Sequence, residues 1–177
     1  HLSSEVIAAN QPFKGINEIW LDGDHYKWRA MRTLGIAEKL ITGKETSNKE
    51  KFDQWAYTVP FTAGNPLFHW THLELKRYFG INTLLQPSTS TAIFKETNRQ
   101  LLDLTPKGLL NDMKVEMLCT TDDPIDDLSA HQKIAASNEK GPEVLPGFRP
   151  DNIFGIEGSQ YLEYIDALKQ ASDTDIS

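Results

Sequence analysis

The chain has 177 residues, 39% of them hydrophobic and 24% charged, a balance that suits a soluble globular protein. Its 18 Lys and Arg against 25 Asp and Glu leave a formal net charge of −7, which argues against nucleic acid or an anionic membrane as the principal partner. No apolar run approaches the ~20 residues that span a bilayer. The single cysteine, Cys119, excludes an internal disulfide framework and points to a reducing, cytoplasmic setting.

Taken in chain order, Ser3 or Ser4 caps a short helix running through Ala9. The stretch from Trp20 to Arg32, WLDGDHYKWRAMR, crowds titratable and aromatic groups together more densely than any other. Gly23-Asp24 supplies a turn and then an N-cap, so a helix starts near His25, runs over 24–34 and closes at Gly35. Trp28, Met31 and Arg32 share one face of it at i, i+3 and i+4, with His25 and Tyr26 in the first turn. By pattern alone this is an amphipathic helix with a solvated polar face. Ile36–Ile41 makes a further turn or short helix closed by Gly43. Asn48–Val59 is helical, with Phe52, Trp55, Ala56 and Val59 on one face and Pro60 after it. Pro66 opens the next helix, with Leu67, Trp70, Leu73 and Phe79 as its expected core side and Gly80 at its end. Ser90–Leu102 follows, apolar at Ile93, Phe94, Leu101 and Leu102, and Pro106 starts a helix over Lys107–Met113. Thr42–Lys49 and Ser137–Pro142 are the most linker-like stretches.

After residue 113 the pattern changes. Val115–Thr121 is short, apolar and β-favouring. Pro124 opens a helix through Ala136 with Ile125, Leu128 and Ile134 inward, and Glu143–Phe148 is a second apolar run. Strand, helix, strand is the unit of a parallel sheet. The expected division is therefore 1–113, mainly helical, and 114–177, a βαβ-type segment.

Both expected strands end in polar text, Thr120-Thr121-Asp122-Asp123 and Arg149-Pro150-Asp151. One of the two aspartates is expected to cap the following helix. Arg149 has no such ready structural duty, and its guanidinium fork matches a carboxylate in two hydrogen bonds. His69 and His72 share a helical face with Glu74 nearby. Their spacing lacks the i, i+4 histidines and the Glu base of the metalloprotease motif, so a tertiary contact is the expected role. His131 is expected at the surface or partly buried, and Cys119 to pack as a small hydrophobe.

Four segments, INEIWLDGDHYKWRAMR (16–32), NPLFHWTHLELKRYFGI (65–81), VEMLCTTDDPIDDL (115–128) and VLPGFRPD (144–151), resemble the uronate (glucuronate) isomerase family, in the same order and over nearly the whole chain. The resemblance implies an α/β fold of the amidohydrolase type: part of a (β/α)8 TIM barrel, predominantly α-helical here, with few strands. Such a barrel takes about 250 residues. This chain, opening at His1 on HLSSEVIA, is therefore expected to be an N-terminal-half fragment, inactive alone. The implied activity is aldose–ketose isomerisation of D-glucuronate and D-galacturonate, small-molecule sugar acids. By resemblance Tyr26 is the hydroxyl near the proton transfer, and Arg149 is the substrate clamp, with His25 and Arg29 as further substrate-side groups. His1 is half of a His-x-His pair for a divalent metal, zinc, in the complete enzyme; the fragment itself is expected to bind none, since catalytic zinc usually takes three protein ligands. A homo-oligomer is compatible with the reading. Two alternatives stay open: another metal hydrolase of the same superfamily, and an acidic helical interaction module with an exposed apolar stripe on 48–59 or 66–79.

Overall fold

The computed structural model of the chain describes residues 2–174. In chain order its helices are α1 (Ser4–Ala9), α2 (Ile16–Trp20), α3 (His25–Thr33), α4 (Asn48–Thr58), α5 (Pro66–Phe79), α6 (Ser90–Leu101), α7 (Pro106–Asp112), α8 (Ser129–Ala136) and α9 (Tyr161–Ser172). The strands are β1 (Met117–Cys119) and β2 (Glu143–Leu145). The described residues gather into two compact units: Pro12–Leu104, and Leu2–Gln11 together with the residues from Thr105 onward. The division expected at 113/114 follows element type; compactness divides the chain at Leu104 and assigns α1 to the later residues.

In the first unit local signals set the helix ends. Ser47 and Glu50 form a reciprocal capping box at α4. Asn65 caps α5 ahead of Pro66, and Gly80 closes it in the left-handed region at φ 66°. Phe52, Trp55 and Ala56 of α4, with Val59 just beyond it, are buried as their spacing predicts. Phe52 stacks on Trp20 at 6.1 Å between ring centroids and meets Phe94 at 5.2 Å.

The expected core side of α5 is corrected. Leu67, Thr71, Leu75 and Phe79 are buried, whereas Trp70 and Leu73 are 56% and 52% exposed. The buried line steps by four residues, and at about 100° per residue Leu73 then falls opposite its centre. On α6, Ser90, Ile93, Thr97 and Leu101 face inward, Phe94 is half-buried and Leu102 is exposed.

The second unit has a small core of Ile7, Leu110 and Val144, flanked by Leu2, Val115, Leu118 and Ile134. β1 and β2 pair in parallel, Met117 opposite Glu143, Leu118 opposite Val144 and Cys119 opposite Leu145. Each strand is three residues long, shorter than expected. Cys119 is exposed rather than packed: side chains alternate along a strand, and Leu118 takes the inward position.

The helix expected from Pro124 begins only at Ser129. Asp123 Oδ1 accepts the Ile125 N–H at 3.2 Å, Asp126 Oδ2 the Asp123 N–H at 2.8 Å and Asp127 Oδ1 the Ser129 N–H at 2.8 Å. Those side-chain acceptors hold turns in competition with helix. Neither Asp122 nor Asp123 caps α8, contrary to expectation. Ser137–Pro142 is tied down by an ion pair of Glu139 with Lys107 at 2.6 Å. Among the described residues no helix is long and apolar enough to cross a membrane.

Candidate functional site

Asp24 builds the first turn of α3. Its Oδ1 accepts the N–H groups of Tyr26 and Lys27 at 3.0 and 2.9 Å, and its Oδ2 takes the Lys27 ammonium at 2.6 Å. Burial pushes the Asp24 carboxyl up. The Lys27 ammonium and the two amides outweigh it and hold the group below the usual carboxylate range. The turn so fixed presents Tyr26 outward, 69% exposed. Tyr26, Arg29 and Thr33 of α3 line an open groove of about 570 Å³ with Asn65, Leu67 and Trp70. The groove thus brings a phenol, a guanidinium, a carboxamide and an indole together, groups that offer hydrogen bonds beside an apolar ring. His25 and Trp28 meet nearly perpendicular, 4.9 Å between ring centroids, and His25 shares with Tyr26 a smaller pocket of about 210 Å³ beside Asp22 and Asp24. Tyr26 thus borders both hollows, and His25 and Arg29 border one each. The sequence pattern places Trp70 on the core side of its helix and gives Asn65 no role; the fold brings both to the groove.

In the second unit the polar residues gather at the carboxyl ends of the parallel strands. Asp122 Oδ2 accepts the Thr120 hydroxyl at 2.7 Å and the Gly147 N–H at 2.9 Å. His131 Nε2 lies 2.7 Å from Thr120 Oγ1 and 3.7 Å from Asp122 Oδ1. Thr120, Asp122 and His131 are all buried, so His131 is more enclosed than the surface or partly buried position expected of it. Asp123 instead serves α9 and the loop before it, accepting from Tyr164 Oη at 2.9 Å and Asn152 Nδ2 at 2.8 Å. Burial first, then that bond to Asp123, pushes the Tyr164 phenol up. Arg149 pairs with Asp151 and is largely exposed, so it does have a local partner, where none was expected.

His72 is committed to structure. Its Nε2 accepts the Leu85 N–H at 3.0 Å, so its proton sits on Nδ1, which donates to the Phe68 carbonyl at 2.8 Å. Neither ring nitrogen is left for a metal. Among the described residues no group of three or more His, Cys, Asp and Glu side chains is placed to hold one. His1, expected in a metal pair, lies outside the described residues.

The glucuronate isomerase family model (UxaC) matches residues 1–177. The uronate isomerase of Yersinia pseudotuberculosis is 53% identical over the whole chain, and that of Pectobacterium atrosepticum 52% over 99% of it. The chain spans 38% of the length of either relative. Among solved structures, uronate isomerase from Thermotoga maritima superposes with a TM-score of 0.91 at 39% identity, covering 99% of this chain and 38% of that one. Glucuronate isomerase from Caulobacter crescentus, 23% identical with a TM-score of 0.90 and the same coverage, shows the fold.

Proposed function

The chain belongs to the glucuronate isomerase family, and from that premise we propose that it is part of an enzyme interconverting D-glucuronate with D-fructuronate and D-galacturonate with D-tagaturonate in hexuronate catabolism. Its fold is part of the α/β barrel of those enzymes, and its described residues are mostly helical with one parallel strand pair. The observation that carries the reading is the shared groove of Tyr26 and Arg29, beside Asn65 and Trp70.

The reaction moves a proton between C2 and C1 through an enediol-like state. It needs a hydroxyl or base beside that proton, donors on the developing oxyanion, and a cation for the sugar carboxylate. Tyr26 supplies the hydroxyl next to the proton path. Arg149 holds the carboxylate in a two-bond fork. Arg29 and His25 hold the sugar from α3. A divalent metal, zinc, would supply Lewis acidity in the complete enzyme, with His1 as one ligand. The described residues do not make up a three-donor set, so no step here passes through the metal. The proposed partner is a small sugar acid; the acidic charge sets nucleic acid and membrane aside, a homo-oligomer is compatible with the proposal, and the proposed setting is the cytoplasm.

The test is Arg149→Met in the full-length protein, assayed with both uronates. A fall in kcat/KM of about a hundredfold with the fold intact is the expected result. Unchanged kinetics would make the 144–151 segment a structural strand end.

A further inference from the structure

We propose that Thr120, Asp122 and His131 form a positioning device that sets the loop carrying Arg149; the proposal rests on the role given to Arg149 above. The hydrogen bonds have a direction. The Thr120 hydroxyl has one proton and two acceptors in reach, Asp122 Oδ2 at 2.7 Å and the Leu145 carbonyl at 3.4 Å, and it donates to the nearer one, Asp122. Thr120 Oγ1 must then accept from His131 Nε2–H at 2.7 Å, which fixes that tautomer.

The chain of donors runs from α8 through Thr120 into Asp122. Asp122 then grips the loop at two points. Its carboxylate accepts the Gly147 N–H at 2.9 Å, and its backbone carbonyl accepts the Arg149 N–H at 2.9 Å. The clasp is tight. A Cβ on Gly147 would lie 2.3 Å from the Thr120 carbonyl oxygen, so only glycine lets the loop approach this closely. Thr120 N–H also donates to Leu145 O at 3.0 Å, which extends the pairing of β1 and β2 to the start of the loop. His131 Nδ1 is buried without a partner, so the hold on the loop rests on the satisfied bonds, Thr120 to Asp122 and Asp122 to Gly147 and Arg149, which restrict what they grip. Held at Gly147 and Arg149, the exposed guanidinium starts from one fixed backbone position, and less is lost when it forms its fork on a carboxylate.

The test uses the full-length protein with Thr120→Val, Thr120→Ser, Asp122→Asn and Arg149→Met, read as KM and kcat for D-glucuronate and as amide exchange at Gly147 and Arg149. Thr120→Val and Asp122→Asn are expected to raise KM about tenfold with a smaller change in kcat, and to speed exchange at both amides. Thr120→Ser, which keeps the hydroxyl, is expected to restore wild-type values. In the Arg149→Met background Asp122→Asn should change kcat/KM less than about twofold, because both act through one group. If Asp122→Asn costs as much without Arg149 as with it, or leaves KM and both amides as in the wild type, the device does not exist. If Arg149→Met is itself silent, the assignment of Arg149 falls and takes this proposal with it. An Arg149→Met loss beside a silent Asp122→Asn overturns the positioning alone.

Discussion

Asp24 shows how much one side chain decides. It closes two backbone donors and one ammonium at the start of α3, one residue before His25 and two before Tyr26. Asp24→Ala is expected to lower stability by about 1 kcal/mol, as loss of an N-cap does, measured by urea unfolding. His72 carries a pH dependence. Burial holds its ring below the usual histidine range, against the pull of the Phe68 carbonyl and with the push of His69. The unfolded chain therefore binds the proton more readily than the folded one. The contribution of His72 is present in full above its unfolded value of 6.5 and is lost as pH falls through it towards the folded value. Melting curves at pH 7.5 and pH 5 should differ less in His72→Gln than in the wild type; equal differences would count against the assignment. Asp24 was legible in the sequence as a cap because its partners are its next neighbours. The partners of His72 and His131 were not, because Leu85 and Thr120 are brought to them from other segments by tertiary packing.

At the scale of elements, periodicity located α3 to α7 to within a residue or two of their ends but did not orient every one. On α4 the aromatic and aliphatic residues coincide with the buried face. On α5 they do not: the apolar Trp70 and Leu73 face out while the small polar Thr71 is buried. Leu75→Ala is expected to cost about 2–5 kcal/mol, as a core truncation does. Leu73→Ala is expected to stay within about 0.5 kcal/mol, as an exposed substitution does. Equal losses from the two in calorimetry would restore the face expected from hydropathy. The exposed pair also bears on the interaction-module alternative. The stripe of α4 is buried, and Trp70 belongs to the groove of Tyr26, so α5 offers that alternative only Leu73 outside the candidate site. At the start of α8 hydropathy again misled, because three aspartates satisfy turn amides in place of a first helical turn.

At the scale of the whole molecule, the isolated 177-residue chain is expected to show no turnover of D-glucuronate or D-galacturonate. It spans 38% of the length of its relatives. Measurable isomerisation by the isolated chain would overturn that expectation. The sequence by itself determined the family, the helical majority, the strand–helix–strand order and most helix ends. These depend on neighbouring residues: caps, Pro and Gly positions, periodicity and long runs of matching text. The tertiary structure alone decided which residues form each compact unit, which face of α5 is buried, and that Trp70 joins Tyr26 and Arg29 in one groove. It alone also placed His131 and Asp122 against the loop of Arg149. Those outcomes depend on contacts between residues distant in the chain, where burial and hydrogen-bond geometry override local preference.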